Sequence, residues 1–135
     1  MRPLMEAVCE STARLCRSFG APADACLEVP GAGGVTCCLA DVSPYAVLAG
    51  GRKLAGFAIR RFARAWLIQG SLLVRPMPAE LSTALPAAIQ RPLRERAVSL
   101  AEAGDPAVRE TTVIERWAAS WSSWWQEVIS PGRRS

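Results

Sequence analysis

Residues 38–74 read CLADVSPYAVLAGGRKLAGFAIRRFARAWLIQGSLLV and carry the strongest structural signal in the chain. Two strand-like runs, residues 45–49 and 53–59, flank Gly50-Gly51. A Gly-Gly pair supplies the positive φ angles of a tight hairpin turn. A basic connection at residues 60–64 then leads to the longest strand candidate, residues 65–74, which ends before two prolines. The stretch therefore predicts hairpins of antiparallel strands.

The residues before this stretch predict one helix and short strands. Residues 4–19 carry apolar side chains near helical spacing, and Gly20 is a typical helix stop. Residues 25–29 and 35–39 have the short apolar runs of strands. The glycine-rich segment 30–34 between them matches neither a P-loop nor a dinucleotide fingerprint, so we interpret it as an ordinary loop.

The last third of the chain predicts helices. Residues 78–89 form one candidate, which Pro86 should shorten or kink, and residues 97–103 form a second. Thr112 and Glu115 have the spacing of a capping box before a third helix. That helix carries an apolar stripe at three- and four-residue spacing, which we expect to pack on the core. The stripe consists of Ile114, Trp117, Trp121, Trp124 and Val128.

The order of a helix, a run of strands and then helices predicts an α/β or α+β fold. Its sheet should be mixed but mostly antiparallel, with flanking helices. A length of 135 residues predicts a single domain, residues 1–130, followed by a disordered tail at residues 131–135.

The composition excludes several classes of function. The chain has no histidine, which excludes a Ser-His-Asp or Cys-His mechanism within it. Five cysteines without a C-x-x-C pair argue against a zinc site, and we expect no metal. A net charge of +4 without a tight basic cluster suits an acidic protein partner better than nucleic acid. With no apolar run of about 20 residues and a charged first helix, we expect no membrane span or signal peptide, and therefore the cytoplasm.

Three linked segments resemble the lipoate–protein ligase family. Residues 53–58, Lys-Leu-Ala-Gly-Phe-Ala, are similar to the family's lysine motif. Residues 43–45 and 51–53, Ser-Pro-Tyr and Gly-Arg-Lys, resemble its lead-in. Residues 69–73, Gln-Gly-Ser-Leu-Leu, resemble the strand that follows. The resemblance covers nearly the whole chain, but only the second half of a full-length enzyme of the biotin/lipoate ligase fold.

The resemblance implies attachment of lipoate or octanoate to a lysine of a lipoyl domain or of the glycine-cleavage carrier protein. Acyl carrier protein is an implied donor, and ATP is a further substrate if the chain is a ligase; no tightly bound cofactor is implied. A lysine ammonium near the acyl carbonyl stabilises developing negative charge. The implied catalytic residue is Lys53, and the implied substrate-binding residues are Gly56, Ala58, Gln69, Gly70 and Ser71. The alternative for Lys53 is an ordinary solvated lysine beside a hairpin turn.

Cys38 is a second implied catalytic residue. In the octanoyltransferase branch a cysteine at a fixed distance before the motif lysine carries the acyl group as a thioester, and Cys38 lies fifteen positions before Lys53. A thiolate is both a good acyl acceptor and a good leaving group. The alternatives are that Cys38 is a buried small hydrophobic residue, or that its neighbour Cys37 points at the site instead.

The chain also departs from the family pattern. Phe57 replaces a small residue and should narrow the acyl pocket, Ile59 replaces a frequent glutamine, and no histidine precedes Gly70. The upstream Arg-Arg-x-Ser/Thr-Gly-Gly-Gly signature is absent. We therefore expect an incomplete copy with little activity alone, which associates with itself or with a missing first half. The competing hypotheses are an inactive remnant or binding module, and a relative of biotin–protein ligase.

Overall fold

The computed structural model describes residues 1–28 and 38–129. Within these residues, one helix is followed by four strands and then by four helices. The elements are α1 (Arg2–Ser18), β1 (Ala23–Cys26), β2 (Ala46–Ala49), β3 (Arg52–Arg61), β4 (Trp66–Leu72), α2 (Ala79–Thr83), α3 (Ala87–Arg96), α4 (Leu100–Ala103) and α5 (Glu110–Ile129).

The four strands form one sheet in the order β1-β2-β3-β4, and each neighbouring pair is antiparallel. The predicted α/β class with a mostly antiparallel sheet is therefore confirmed. The hairpin turn between β2 and β3 is also confirmed, since Gly50 and Gly51 have φ angles of 58° and 76°. Positive φ at both central residues gives a turn whose twist matches that of the strands.

A β-bulge interrupts the pairing of β2 with β3. Val47 pairs with Ala55, but Leu48 pairs with Lys53, so Leu54 is an extra residue on β3. An extra residue changes the side-chain alternation of a strand and re-aims the residues beyond it. The bulge therefore sets the direction of the Lys53 side chain.

Helices α1 and α5 cover one face of the sheet. The core on this face joins residues of α1, such as Met5 and Val8, to Ala55 and Phe57 of β3 and Val113 of α5. A smaller apolar cluster lies near Lys53, at the start of β3, and its buried residues are Ala40, Leu93 and Ala97. The opposite face of β3 and β4 is open, because Ala58, Gln69 and Ser71 are exposed there.

Several boundaries differ from the sequence predictions for local reasons. The first strand is Ala23–Cys26 rather than residues 25–29. Of the expected strand at residues 35–39, residues 35–37 lie outside the described residues and residues 38 and 39 form a turn. The expected helix at residues 78–89 is two helices, because Pro86 ends one segment and caps the next.

The helix expected at residues 97–103 begins only at Leu100. Ser99 and Glu102 form a capping box there, with the Glu102 backbone N–H donating to Ser99 Oγ at 3.3 Å. The capping box expected at Thr112 is wrong, because α5 already begins at Glu110 and Thr112 lies within its first turn. Across residues 1–28 and 38–129, no helix is long and apolar enough to cross a membrane.

Candidate functional site

Lys53 is the charged side chain at the centre of the candidate site. It lies on β3 with only 5% of its surface exposed, which is contrary to the solvated-lysine alternative. Its Nζ donates hydrogen bonds to the backbone carbonyls of Cys38, at 2.6 Å, and Asp41, at 2.8 Å. Burial of an ammonium is unfavourable without such partners. Lys53 therefore fixes the backbone turn that carries Cys38.

Gly56 leaves the space into which the Lys53 side chain extends. A Cβ atom added at Gly56 would lie 2.7 Å from Lys53 Cε and 2.9 Å from Nζ. Without the bulge, strict alternation would place Lys53 on the face of Ala55 and Phe57, where the helices pack. With Leu54 as the extra residue, Lys53 shares the open face with Gly56 instead. Glycine is therefore required at position 56, because any larger residue would collide with the Lys53 side chain.

Strand β4 completes this face. Gln69 pairs with Ala58, and Ser71 pairs with Gly56, so both polar side chains lie on the same side of the sheet as their partners. Together with the Cys38 turn they form an open cleft of about 440 Å³. It is lined by Cys38, Ser43, Lys53, Gly56, Phe57, Ala58, Gln69, Gly70 and Ser71.

The cleft brings together every site residue predicted from the sequence. Catalytic candidates Lys53 and Cys38 border it, as do the five predicted substrate-binding residues. Cys38 is exposed, which argues against the buried-hydrophobe alternative. Cys37 lies outside the described residues. The Asp41 carbonyl, which accepts a hydrogen bond from Lys53, could not be predicted, because a backbone acceptor leaves no signal in residue type.

The turn that carries Cys38 is also held by side-chain charge. The Arg96 guanidinium lies 3.3 Å from Asp41 Oδ1, and 19% of the Asp41 side chain is exposed. On the neighbouring strand, the Arg52 guanidinium donates to the Arg94 carbonyl at 2.8 Å. These two contacts connect α3 to the Cys38 turn and to β3, so α3 supports the part of the cleft where Lys53 meets the turn.

Phe57 occupies the other face of the sheet. Its ring makes an edge contact with Trp117, with the centroids 6.3 Å apart, and it lies where a Cβ on Gly70 would stand 2.3 Å away. Although Phe57 also borders the cleft, its ring packs on the helix side. Gly70 is needed to accommodate this ring, and the narrowing of an acyl pocket by Phe57 stays a prediction.

A second, apolar groove of about 360 Å³ lies between β4 and α5 on the helix side. Trp117 and Trp121 pack partly against the core, as expected, but Ile114 is 63% exposed and borders this open groove. Val113 fills the core position instead, with 1% of its surface exposed. At the start of α5, the residue that faces the core is thus Val113 rather than the predicted Ile114. The Val128 side chain lies outside the described residues.

Positive charge is concentrated in the segment that forms the cleft. No acidic residue occurs between Asp41 and Glu80, whereas the rest of the chain carries more acidic than basic residues. The basic residues of this segment are Arg52, Lys53, Arg60, Arg61, Arg64 and Arg75. The segment between Asp41 and Glu80 therefore carries a net positive charge.

Within the part of the chain that the structure describes, no group of three or more His, Cys, Asp or Glu residues could hold a metal ion. The side chains that line the Lys53 cleft include a thiol, an ammonium, two hydroxyls and an amide. Comparisons with protein-family models, with curated proteins and with solved structures gave no match to this chain.

Proposed function

We propose that this chain takes part in attaching octanoate or lipoate to a lysine of a carrier domain, with the Lys53 cleft as the site of acyl transfer. One observation carries the proposal. A lysine, a glycine three residues later, a cysteine fifteen residues earlier and a Gln-Gly-Ser strand all border one cleft. Lys53 shares a face with Gly56 and Ala58 because of the bulge at Leu54.

The exposed thiol of Cys38 supplies the nucleophile. Its thiolate attacks the acyl carbonyl of a carrier-bound thioester, a new C–S bond forms, and the carrier thiol leaves with the proton. The ε-amine of the acceptor lysine then attacks the Cys38 thioester, which forms the amide and returns the thiol. In each step, negative charge develops on the acyl oxygen, and the Lys53 ammonium lies in the same cleft to stabilise it.

Lys53 also serves as a positioning residue for Cys38. Its 2.6 Å hydrogen bond to the Cys38 carbonyl fixes the backbone from which the thiol projects. An alignment of this kind is a large part of the rate gain in acyl transfer. If the donor is an acyl adenylate made from ATP, the same ammonium would face the phosphate, and Cys38 would not be acylated.

A second candidate function is a binding module without catalysis. The hydrogen bonds from Lys53 to two backbone carbonyls favour it, because a buried lysine that only supports a turn would make the same contacts. In that case the cleft would bind an acyl chain or a carrier domain, and neither Cys38 nor Lys53 would react.

We further propose that the acceptor approaches over the β3–β4 hairpin. Arg60 is two residues beyond the cleft residue Ala58, a distance of about 7 Å along a strand. Alternation places Arg60 on the cleft face. An acidic lipoyl domain, glycine-cleavage carrier protein or acyl carrier protein fits this charge, in the cytoplasm. The second wall over the open cleft would come from another segment or from a second copy.

The test is acyl transfer in two stages, first from octanoyl-loaded carrier protein to this chain and then to a purified lipoyl domain. The proposal expects thioester formation with the parent chain and none with Cys38→Ser. Cys26→Ser is the matched control, because Cys26 is a partly exposed thiol on β1 outside the cleft. We expect transfer from Cys38 to the lipoyl domain to be slow or absent unless a further segment or a second copy covers the open cleft. No thioester, together with tight binding of the carrier, would favour the binding module.

A further inference from the structure

A polar cleft of about 400 Å³ lies between α1 and α5, away from the Lys53 cleft. Its α1 wall presents Ser11, Arg14 and Ser18, at i, i+3 and i+7 positions on one helix face. The buried side chain of Leu15 forms an apolar patch beside them. Ser11 Oγ donates to the Val8 carbonyl at 3.0 Å and Ser18 Oγ donates to the Leu15 carbonyl at 2.6 Å, so both hydroxyls are bonded within α1. Two packed helices usually meet through apolar side chains, and the Arg14 guanidinium in this groove therefore marks a candidate ligand site.

The α5 wall repeats this arrangement. Arg116, Ser120 and Ser123 stand at i, i+4 and i+7 and face the cleft. The Arg116 guanidinium lies over the Phe19 ring at 4.6 Å from its centroid, and Phe19 is buried. This cation–π contact holds the guanidinium in place before any ligand arrives. Both walls therefore carry one arginine and two serines.

The two arginines are available to an anion. Among the residues that the structure describes, neither Arg14 nor Arg116 forms an ion pair, and no carboxylate lines the cleft. The nearby acid of α1, Glu10, accepts from Arg17 at 2.9 Å instead. Guanidinium groups bind the oxygens of phosphate in a bidentate manner, and the hydroxyls of Ser120 and Ser123 on α5 add further donors.

The cleft is larger than a lone phosphate needs, and its size falls in the range of small-molecule sites. Trp124 borders it and offers an aromatic surface against which a planar ring can pack. We propose that this cleft binds a phosphate monoester joined to a planar ring, as in a nucleoside monophosphate. The phosphate lies between Arg14 and Arg116, with the ring toward Trp124. This site is independent of the acyl-transfer proposal.

The experiment is a titration of the full chain with AMP, adenosine and inorganic phosphate, followed by backbone amide shifts in NMR spectra. We expect saturable shifts at Ser11, Ser120 and Ser123 with AMP, and weaker binding of the other two probes. Arg14→Gln should weaken AMP binding about tenfold, because one charge-assisted hydrogen-bonding group is lost. Arg116→Gln should do the same.

Arg94→Gln is the matched control, since Arg94 is an exposed arginine of α3 outside this cleft. It should bind AMP as the parent does, and so should Cys38→Ser. Equal affinity for adenosine or for inorganic phosphate would overturn the proposal. So would unchanged AMP affinity in both glutamine variants, or shifts confined to Gly56 and Gln69, which would assign binding to the Lys53 cleft.

Discussion

Replacing Gly56 by alanine should destabilise the protein through Lys53. The new Cβ would lie 2.7 Å from Lys53 Cε and 2.9 Å from Nζ, closer than non-bonded carbon and nitrogen atoms approach. The backbone of Gly56 tolerates alanine, because Gly56 is not among the residues with positive φ. The end of the lysine side chain is the part that must move, and it is anchored by hydrogen bonds to Cys38 and Asp41.

The expected magnitude follows from these bonds. A hydrogen bond to a charged group contributes about 1.5–3 kcal/mol, so losing both costs about 3–6 kcal/mol. Alanine in a strand is roughly 0.5–1 kcal/mol more favourable than glycine, which offsets part of this loss. The free energy of unfolding of Gly56→Ala should therefore fall by about 2–5 kcal/mol when both bonds break.

Urea unfolding of four proteins measures the effect: the parent, Gly56→Ala, Lys53→Ala and the double variant. In the Lys53→Ala background the atoms that clash are gone, so Gly56→Ala should be neutral or slightly stabilising. Amide shifts of Cys38 and Asp41 in Gly56→Ala report the same displacement in the folded protein. An equal loss of stability in both backgrounds, or a single variant as stable as the parent, would refute the contact between Gly56 and Lys53.

Three further predictions concern other parts of the fold. Gly70→Ala should lower the free energy of unfolding by about 1–3 kcal/mol and change the near-UV circular dichroism, because its Cβ would lie 2.3 Å from the Phe57 ring. Although burial opposes the shift, hydrogen bonds from Ser99 hold the pKa of Glu102 below its ordinary value. The Glu102 carboxylate should therefore stabilise the folded protein above its pKa in the unfolded chain, and this stabilisation should be lost as the pH falls through its lower pKa in the folded protein. Urea unfolding midpoints measured across acidic pH should fall less in Ser99→Ala than in the parent. Burial raises the pKa of Cys16 to about 12, so iodoacetamide should label it only after unfolding, as peptide mass spectrometry can show.

Local patterns predicted most of the strands and helices. The Gly50-Gly51 pair specifies its turn through backbone conformation alone, which is why the β2–β3 hairpin follows from the sequence. The start of α5 does not, because the capping-box spacing of Thr112 and Glu115 lies inside a helix that already begins at Glu110. Val113 and Ile114 are adjacent apolar residues, and it is Val113 that enters the core while Ile114 is exposed.

The site could be predicted in its residues but not in its geometry. Side-chain alternation alone would put Lys53 and Gly56 on opposite faces of β3, since they are three residues apart. The bulge at Leu54 reverses this, and no residue type marks its position. The carbonyl partners of Lys53 are likewise backbone atoms, which any sequence supplies. The Ser99-x-x-Glu102 capping box, in contrast, was a readable signal that the sequence analysis missed.

Locating the acyl group by tandem mass spectrometry tests the proposed acyl-transfer site most directly. After incubation with octanoyl-loaded carrier protein, trypsin releases residues 18–52 as one peptide, because no lysine or arginine lies between Arg17 and Arg52. This peptide contains Cys26, Cys37 and Cys38, and its fragment ions separate them. The account predicts an octanoyl thioester on Cys38 alone, reduced in the Gly56→Ala variant. An unmodified peptide, or octanoyl spread over all three thiols, would contradict it.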